Sequence, residues 1–223
     1  MCWAYVTAKS CSSALKVSVN PYLILFLGAL PDIDLLLAGY GVQHRTITHS
    51  LVFWLVVFVP IFIKYRKRGI PYFVALAQHI VFGDYIVNYT RPLWPISSLK
   101  FGMSLQLVAL ENISLEIIGL ILFLIWFNFN GDSRLTFGKI KSNLLSVFPL
   151  LPLFAFFFFI AQNMDISLLL AHEPTIDLPG KVETKILLSD FLPIIVIGHL
   201  ILASVLLVSL MQGSRAILHR SAL

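Results

Sequence analysis

A chain of 223 residues that is 58% apolar and 12% charged is too poor in polar surface for a soluble globular protein. It has the composition of a helical membrane protein with several spans. Its formal charge of +5 comes from basic residues gathered between the apolar runs, as a positive-inside bias places them, and calls for no nucleic-acid partner.

Residues 1–18 carry Lys9, Lys16 and several serines, too polar for a span and suited to an amphipathic or re-entrant helix. Cys2 and Cys11 lack ligand or redox spacing and read as small apolar residues. No signal-peptide pattern precedes them. From Pro21 to Tyr40 the chain is apolar except for the tetrapeptide PDID at 31–34, so this is a broken first span. Pro31 is expected to push Leu30 out of the helical region. Asp32 and Asp34 would diverge on a regular helix, and an irregular PDID lets them converge.

The stretch that follows, HRTITHS at 44–50, holds two histidines. A break at Gly39-Tyr40-Gly41 places His44 in a loop, and His49 is expected in the first turn of the next helix, with Thr46 or Thr48 as N-cap. Asp32 and Asp34 supply hard oxygen ligands, His44 and His49 imidazole nitrogens, and such mixed sets suit zinc, manganese or iron. Ionisable groups near hydrocarbon are costly, which makes the cluster a functional-site candidate. Arg45, between the histidines, is placed to hold a phosphate; the plainer reading is an interfacial anchor.

A second span runs from about residue 50 to 63 and ends at the basic run KYRKR, 64–68, read as a cytoplasmic anchor. A third, about 70–89, contains His79 and Asp84. Five residues apart, these two diverge by about 140° on a regular α-helix. For both to reach one ion, the extra residue must be absorbed by a π-bulge or an equivalent kink between about Gln78 and Tyr85, which Gly83 would ease. The loop 90–103 carries Trp94, an interfacial residue type. A fourth span, about 105–127, includes Glu111 and Glu116; Glu111, nearer the loop, is a candidate ligand or general base. A polar loop at 128–143, a fifth span at 144–161, a longer connection at 162–190 and a sixth span at 191–211 complete the pattern. His199 in the last span reads as structural. No Walker loop, nucleophile elbow or dinucleotide fingerprint is present.

The fold class expected is therefore all-α, a single polytopic membrane domain of about six hydrophobic segments. If all six cross, eleven basic residues fall on the side of KYRKR and five on the other, as counted along the sequence. That bias puts both termini in the cytoplasm and the polar groups of the first four segments toward the outer face of the plasma membrane.

PDID followed by HRTITHS resembles the paired signatures of the YdjM-like membrane-bound, metal-dependent hydrolases. The likeness continues through His79 and Asp84 to RPLWPISSLKFG at 91–102, similar to that family's PLLWPFS segment, and so covers roughly residues 20–104. The family is thought to be related to zinc-dependent phospholipases C and S1/P1 nucleases, helical enzymes whose metals are held by His and Asp. The chain departs from the pattern twice: no histidine precedes His44, and His79 and Asp84 are five apart where four is common.

The resemblance implies a membrane-embedded metal-dependent hydrolase acting on a phosphoester, lipid or small molecule. Asp32, Asp34, His44, His49, His79 and Asp84 would hold one or more divalent ions, zinc or manganese, to activate water and polarise the scissile bond. Glu111 or an aspartate would accept the proton, and Arg45 would hold the phosphate. The rival readings are a transporter or ion pathway through Asp84, Glu111, Glu116 and His199, and a catalytically silent metal-binding membrane protein.

Overall fold

The computed structural model describes residues 1–40, 44–87, 89–103, 110–133, 148–152 and 155. These form helices joined by tight turns, with a single isolated bridge between Thr90 and Phe101 in place of any sheet. The helices are α1 (Cys2–Ala14), α2 (Pro21–Ala29), α3 (Leu51–Tyr65), α4 (Ile70–Gln78), α5 (Tyr85–Val87) and α6 (Leu110–Phe129). A 3-10 stretch, Leu30–Tyr40, continues α2, and a π-helical stretch, His79–Asp84, joins α4 to α5.

The N-terminal segment is more central than its composition indicated. Ala4, Tyr5, Ala8, Lys9 and Ser12 of α1 are buried and recur at helical spacing along one face. That face packs against α2, α4 and α6. Tyr22, Ile24 and Leu25 of α2, Leu76 of α4, Ile80 and Phe123 of α6 complete the core. Gly28 makes the approach of α1 and α2 possible, because a Cβ there would lie 2.5 Å from the Ala4 Cβ.

Lys9 survives burial in α1 because Asp132, just beyond α6, lies 2.5 Å from its Nζ, and the Tyr5 hydroxyl donates to the same carboxylate. A buried ammonium is tolerated only when so paired. Nothing in the sequence marked this pairing across 123 residues, although Tyr5 and Lys9 stand one helical turn apart.

α2 begins with Asn20 as cap, its Oδ1 accepting from Tyr22 N and Leu23 N at 2.9 and 3.1 Å. The break at Pro31 takes a different form from the one expected. Leu30 stays in the right-handed helical region at φ −60°, ψ −33°, and its N–H turns to Leu27 O. Proline lacks the next N–H donor, and the chain responds by tightening into a 3-10 helix rather than by extending.

α3 starts at Leu51, two residues after His49, and its cap is Ser50, whose Oγ accepts from Phe53 N at 3.1 Å. Neither Thr46 nor Thr48 caps it; the Thr48 hydroxyl is engaged elsewhere. Leu51 N, left without an intrahelical partner, donates to Pro92 O at 2.9 Å. The 90–103 loop is thereby seated on the start of α3.

Leu55, Val56, Val59 and Ile63 of α3 and Ile118, Ile121, Ile125 and Phe129 of α6 are exposed apolar residues, surfaces suited to hydrocarbon. Among the described residues one helical run, Ile70–Val87, is long and apolar enough to cross a membrane. A helix, α6, lies where the fourth span is expected, and its apolar stretch, Ser114–Phe129, is shorter than that run. The expected sixth span, with His199, lies outside the described residues, as does most of the fifth.

Candidate metal centre

Four elements meet at one end of the helical layer: the 3-10 stretch after α2, the turn Ile47–His49, the π stretch, and the chain at His44–Arg45. His49 is the hub, with no solvent exposure. Its Nε2 lies 3.3 Å from Asp32 Oδ1 and 3.0 Å from Asp84 Oδ2. His79 Nε2 reaches the same two oxygens, at 3.3 and 3.5 Å. The other edge of the His79 ring is fixed: Nδ1 donates to Gly28 O at 2.9 Å. This settles the tautomer and leaves Nε2 free to accept or ligate.

The π stretch is the local feature that allows His79 and Asp84 to share a target. It spans His79–Asp84, inside the interval where the five-residue spacing demanded a bulge. Gly83 is less necessary than expected, since a Cβ there would meet nothing within 4 Å.

Asp84 is nearly buried, and its two oxygens differ. Oδ1 accepts from Arg45 Nε at 3.2 Å. Oδ2 faces the Nε2 atoms of both histidines, at 3.0 and 3.5 Å, without a hydrogen bond of good geometry. A buried carboxylate oxygen left so is costly, and a cation between these groups would satisfy it. Bonds of about 2.0–2.1 Å in a tetrahedral zinc site put neighbouring ligand atoms about 3.3–3.4 Å apart. The four separations above bracket that value. Two triads of metal-competent atoms can be drawn, Asp32–His44–His49 and His49–His79–Asp84, each with all its atoms within 4.8 Å of one another. The residues therefore fit one or two divalent ions.

Burial by itself would lower the pKa of His49, but hydrogen bonds to Asp32, Asp34 and Asp84 outweigh it and raise the value to about 11. The carboxylates around this one imidazole thus favour its charged form.

Of the predicted residues, Asp32, Asp34, His44, His49, His79, Asp84 and Arg45 all converge here. Asp34 bonds the histidines from the outer side and belongs to neither triad. Glu111 is exposed in the first turn of α6, and among the described residues no hydrogen bond or ion pair joins it to the cluster. Two contributors escaped the sequence reading. Thr48 donates to Asp34 Oδ2 at 2.8 Å, and the Gly28 carbonyl anchors His79. A hydroxyl directly before a candidate histidine was the available signal for the first; a backbone carbonyl leaves none.

The Met1 Cα lies 3.7 Å from the Cβ position of Gly28, so α1 begins at the site end. KYRKR, which joins α3 to α4, lies at the opposite end of that hairpin.

No curated protein and no solved structure matches the chain. The profile of one family, described as YdjM inner membrane protein, matches residues 1–165, and this stretch contains every residue of the cluster. The chain belongs to the YdjM family of inner membrane proteins.

Proposed function

We propose that the protein is a membrane-embedded, metal-dependent hydrolase of phosphoesters, with lipid head groups or small phosphoesters as substrates. The observation that carries this reading is the convergence of Asp32 Oδ1, His49 Nε2, His79 Nε2 and Asp84 Oδ2 around an unsatisfied buried oxygen. These four residues, with His44, would hold zinc or manganese. The bound ion supplies Lewis acidity and lowers the pKa of a coordinated water.

The chain's own groups divide the remaining work. Arg45 is partly exposed and uses Nε on Asp84, which leaves its terminal nitrogens to hold a phosphate oxygen. Asp32 is the most open carboxylate of the cluster, its side chain 27% exposed, and is better placed than Glu111 to accept a proton from an attacking water. Asp84 and His79 are fixed by the π stretch and by the Gly28 carbonyl. With KYRKR at the cytoplasmic surface, the site and Met1 face outward.

The test is hydrolysis by purified protein loaded with zinc or manganese, using a chromogenic phosphodiester and phosphatidylcholine vesicles. Activity that disappears on chelation and returns with the ion supports the proposal. A metal-loaded protein that cleaves neither, yet conducts cations in liposomes, would establish the transport reading instead.

A further inference from the structure

We infer that Asp34 is a positioning residue that holds His44 and His49 by their Nδ1 atoms and turns Nε2 toward the metal, and is not itself a ligand. The inference rests on the metal reading above. Asp34 is 1% exposed, and its carboxylate is already engaged four times. Oδ1 lies 2.8 Å from His44 Nδ1. Oδ2 accepts from Arg45 N at 3.0 Å and Thr48 Oγ1 at 2.8 Å, and lies 3.3 Å from His49 Nδ1. Each carboxylate oxygen offers about two acceptor positions: Oδ2 is filled, Oδ1 is committed to His44 on one side, and Asp34 falls in neither group of atoms that could share an ion.

The proton count supports the same arrangement. Thr48 has one hydroxyl proton, and it goes to Asp34. The Thr48 oxygen, 3.1 Å from His49 Nδ1, is then free to accept, so Nδ1 carries its hydrogen between two acceptors. An Nδ1–H fixes Nε2 as the unprotonated, ligating nitrogen once a metal displaces the proton there. Asp32 lies on that Nε2 side, at 3.3 Å. The two aspartates of PDID thus grip His49 from its two ring nitrogens. The 3-10 geometry makes this possible, because residues two apart at about three per turn point about 120° from each other.

Asp34 also fixes the backbone that carries the site. Its bond to Arg45 N holds that residue at φ 63°, a left-handed conformation uncommon for arginine. His44 and Arg45 are thereby directed to the same side as the Nε2 atoms.

The experiment is nitrogen-15 NMR of the full chain in lipid bilayers with labelled histidine, with and without zinc. The expected result is zinc-shifted Nε2 resonances for His44 and His49, their Nδ1 atoms staying protonated. Asp34→Asn should keep the zinc stoichiometry and Nε2 ligation with affinity reduced about 10- to 100-fold, the usual range for a lost orienting partner. Zinc on Nδ1 of either histidine would overturn the inference while leaving the metal site intact. A folded Asp34→Asn that loses zinc stoichiometry would do the same. Wild-type protein that binds no zinc would instead remove the metal reading, and the inference with it. The wild-type spectra decide even if the variant does not fold.

Discussion

His79 Nε2 and Asp84 Oδ2 stand 3.5 Å apart although five residues separate them along one helical run. A regular α-helix would turn them about 140° away from each other. The π stretch His79–Asp84 removes that divergence, and it does so where the cluster needs both side chains. Such single-turn distortions persist mostly where function requires them.

Gly83→Ala tests what sustains the distortion. Nothing lies within 4 Å of the added methyl, and alanine is the better helix former by about 0.5–1 kcal/mol. The variant should be as stable as wild type or up to about 1 kcal/mol more stable, with zinc binding unchanged. Calorimetric unfolding and metal analysis check this. A variant that loses zinc would show that the bulge depends on the absent side chain rather than on the ligand pair.

Gly28→Ala should behave in the opposite way. Its methyl would stand 2.5 Å from the Ala4 Cβ, and both atoms belong to packed helices with no flexible end to yield. Overpacking of this kind costs about 1–3 kcal/mol. Because Gly28 O anchors His79 Nδ1, α2 cannot shift without disturbing the ring. Lower thermal stability and weaker zinc affinity should appear together. A stability loss with unchanged affinity would separate the core contact from the site.

Titration gives a sharper signature. The His49 pKa is raised to about 11 in the folded metal-free protein, so it releases its proton only in strongly alkaline solution. A raised pKa contributes stability that is fully present below the unfolded value near 6.5 and is lost as pH climbs through about 11. Metal-free protein should therefore become less stable between those limits. Zinc has to displace the same proton, so its affinity should rise about tenfold per pH unit in this window. Calorimetric titration at several pH values in matched buffers measures both the slope and the proton released. A flat affinity profile would mean that His49 is not a ligand.

How far the sequence discloses all this depends on the range of each interaction. The PDID and HRTITHS residues were legible because ligand chemistry is written in side-chain type and the two stretches lie close along the chain. The π stretch was legible because a fixed five-residue spacing conflicts with helical period. The form of the break at Pro31 was not, since one missing N–H permits either extension or tightening, and the choice is made by what α2 packs against. The role of α1 was hidden for a related reason: Lys9 marks a surface until Asp132, 123 positions later, is known to neutralise it. Glu111 was singled out for its place near a loop, and among the described residues no hydrogen bond or ion pair joins it to the cluster.

The Lys9–Asp132 pair yields the last prediction. Both groups are buried, and the Tyr5 hydroxyl completes the arrangement. Asp132→Asn removes the charge but keeps the shape, leaving the Lys9 ammonium between helices without an anion. Breaking a buried pair from one side costs about 3–5 kcal/mol, enough to loosen α1 from α6. Lys9→Met together with Asp132→Asn removes both charges and should recover most of that loss, since an apolar replacement of comparable volume is often neutral. Zinc affinity should follow stability only partly, because the pair lies toward the far end of α6 while the site is built on α2, the π stretch and His49. Thermal unfolding of the two variants checks the energetic claim. A double variant no more stable than Asp132→Asn alone would show that the pair itself, and not the stranded ammonium, holds α1 in place.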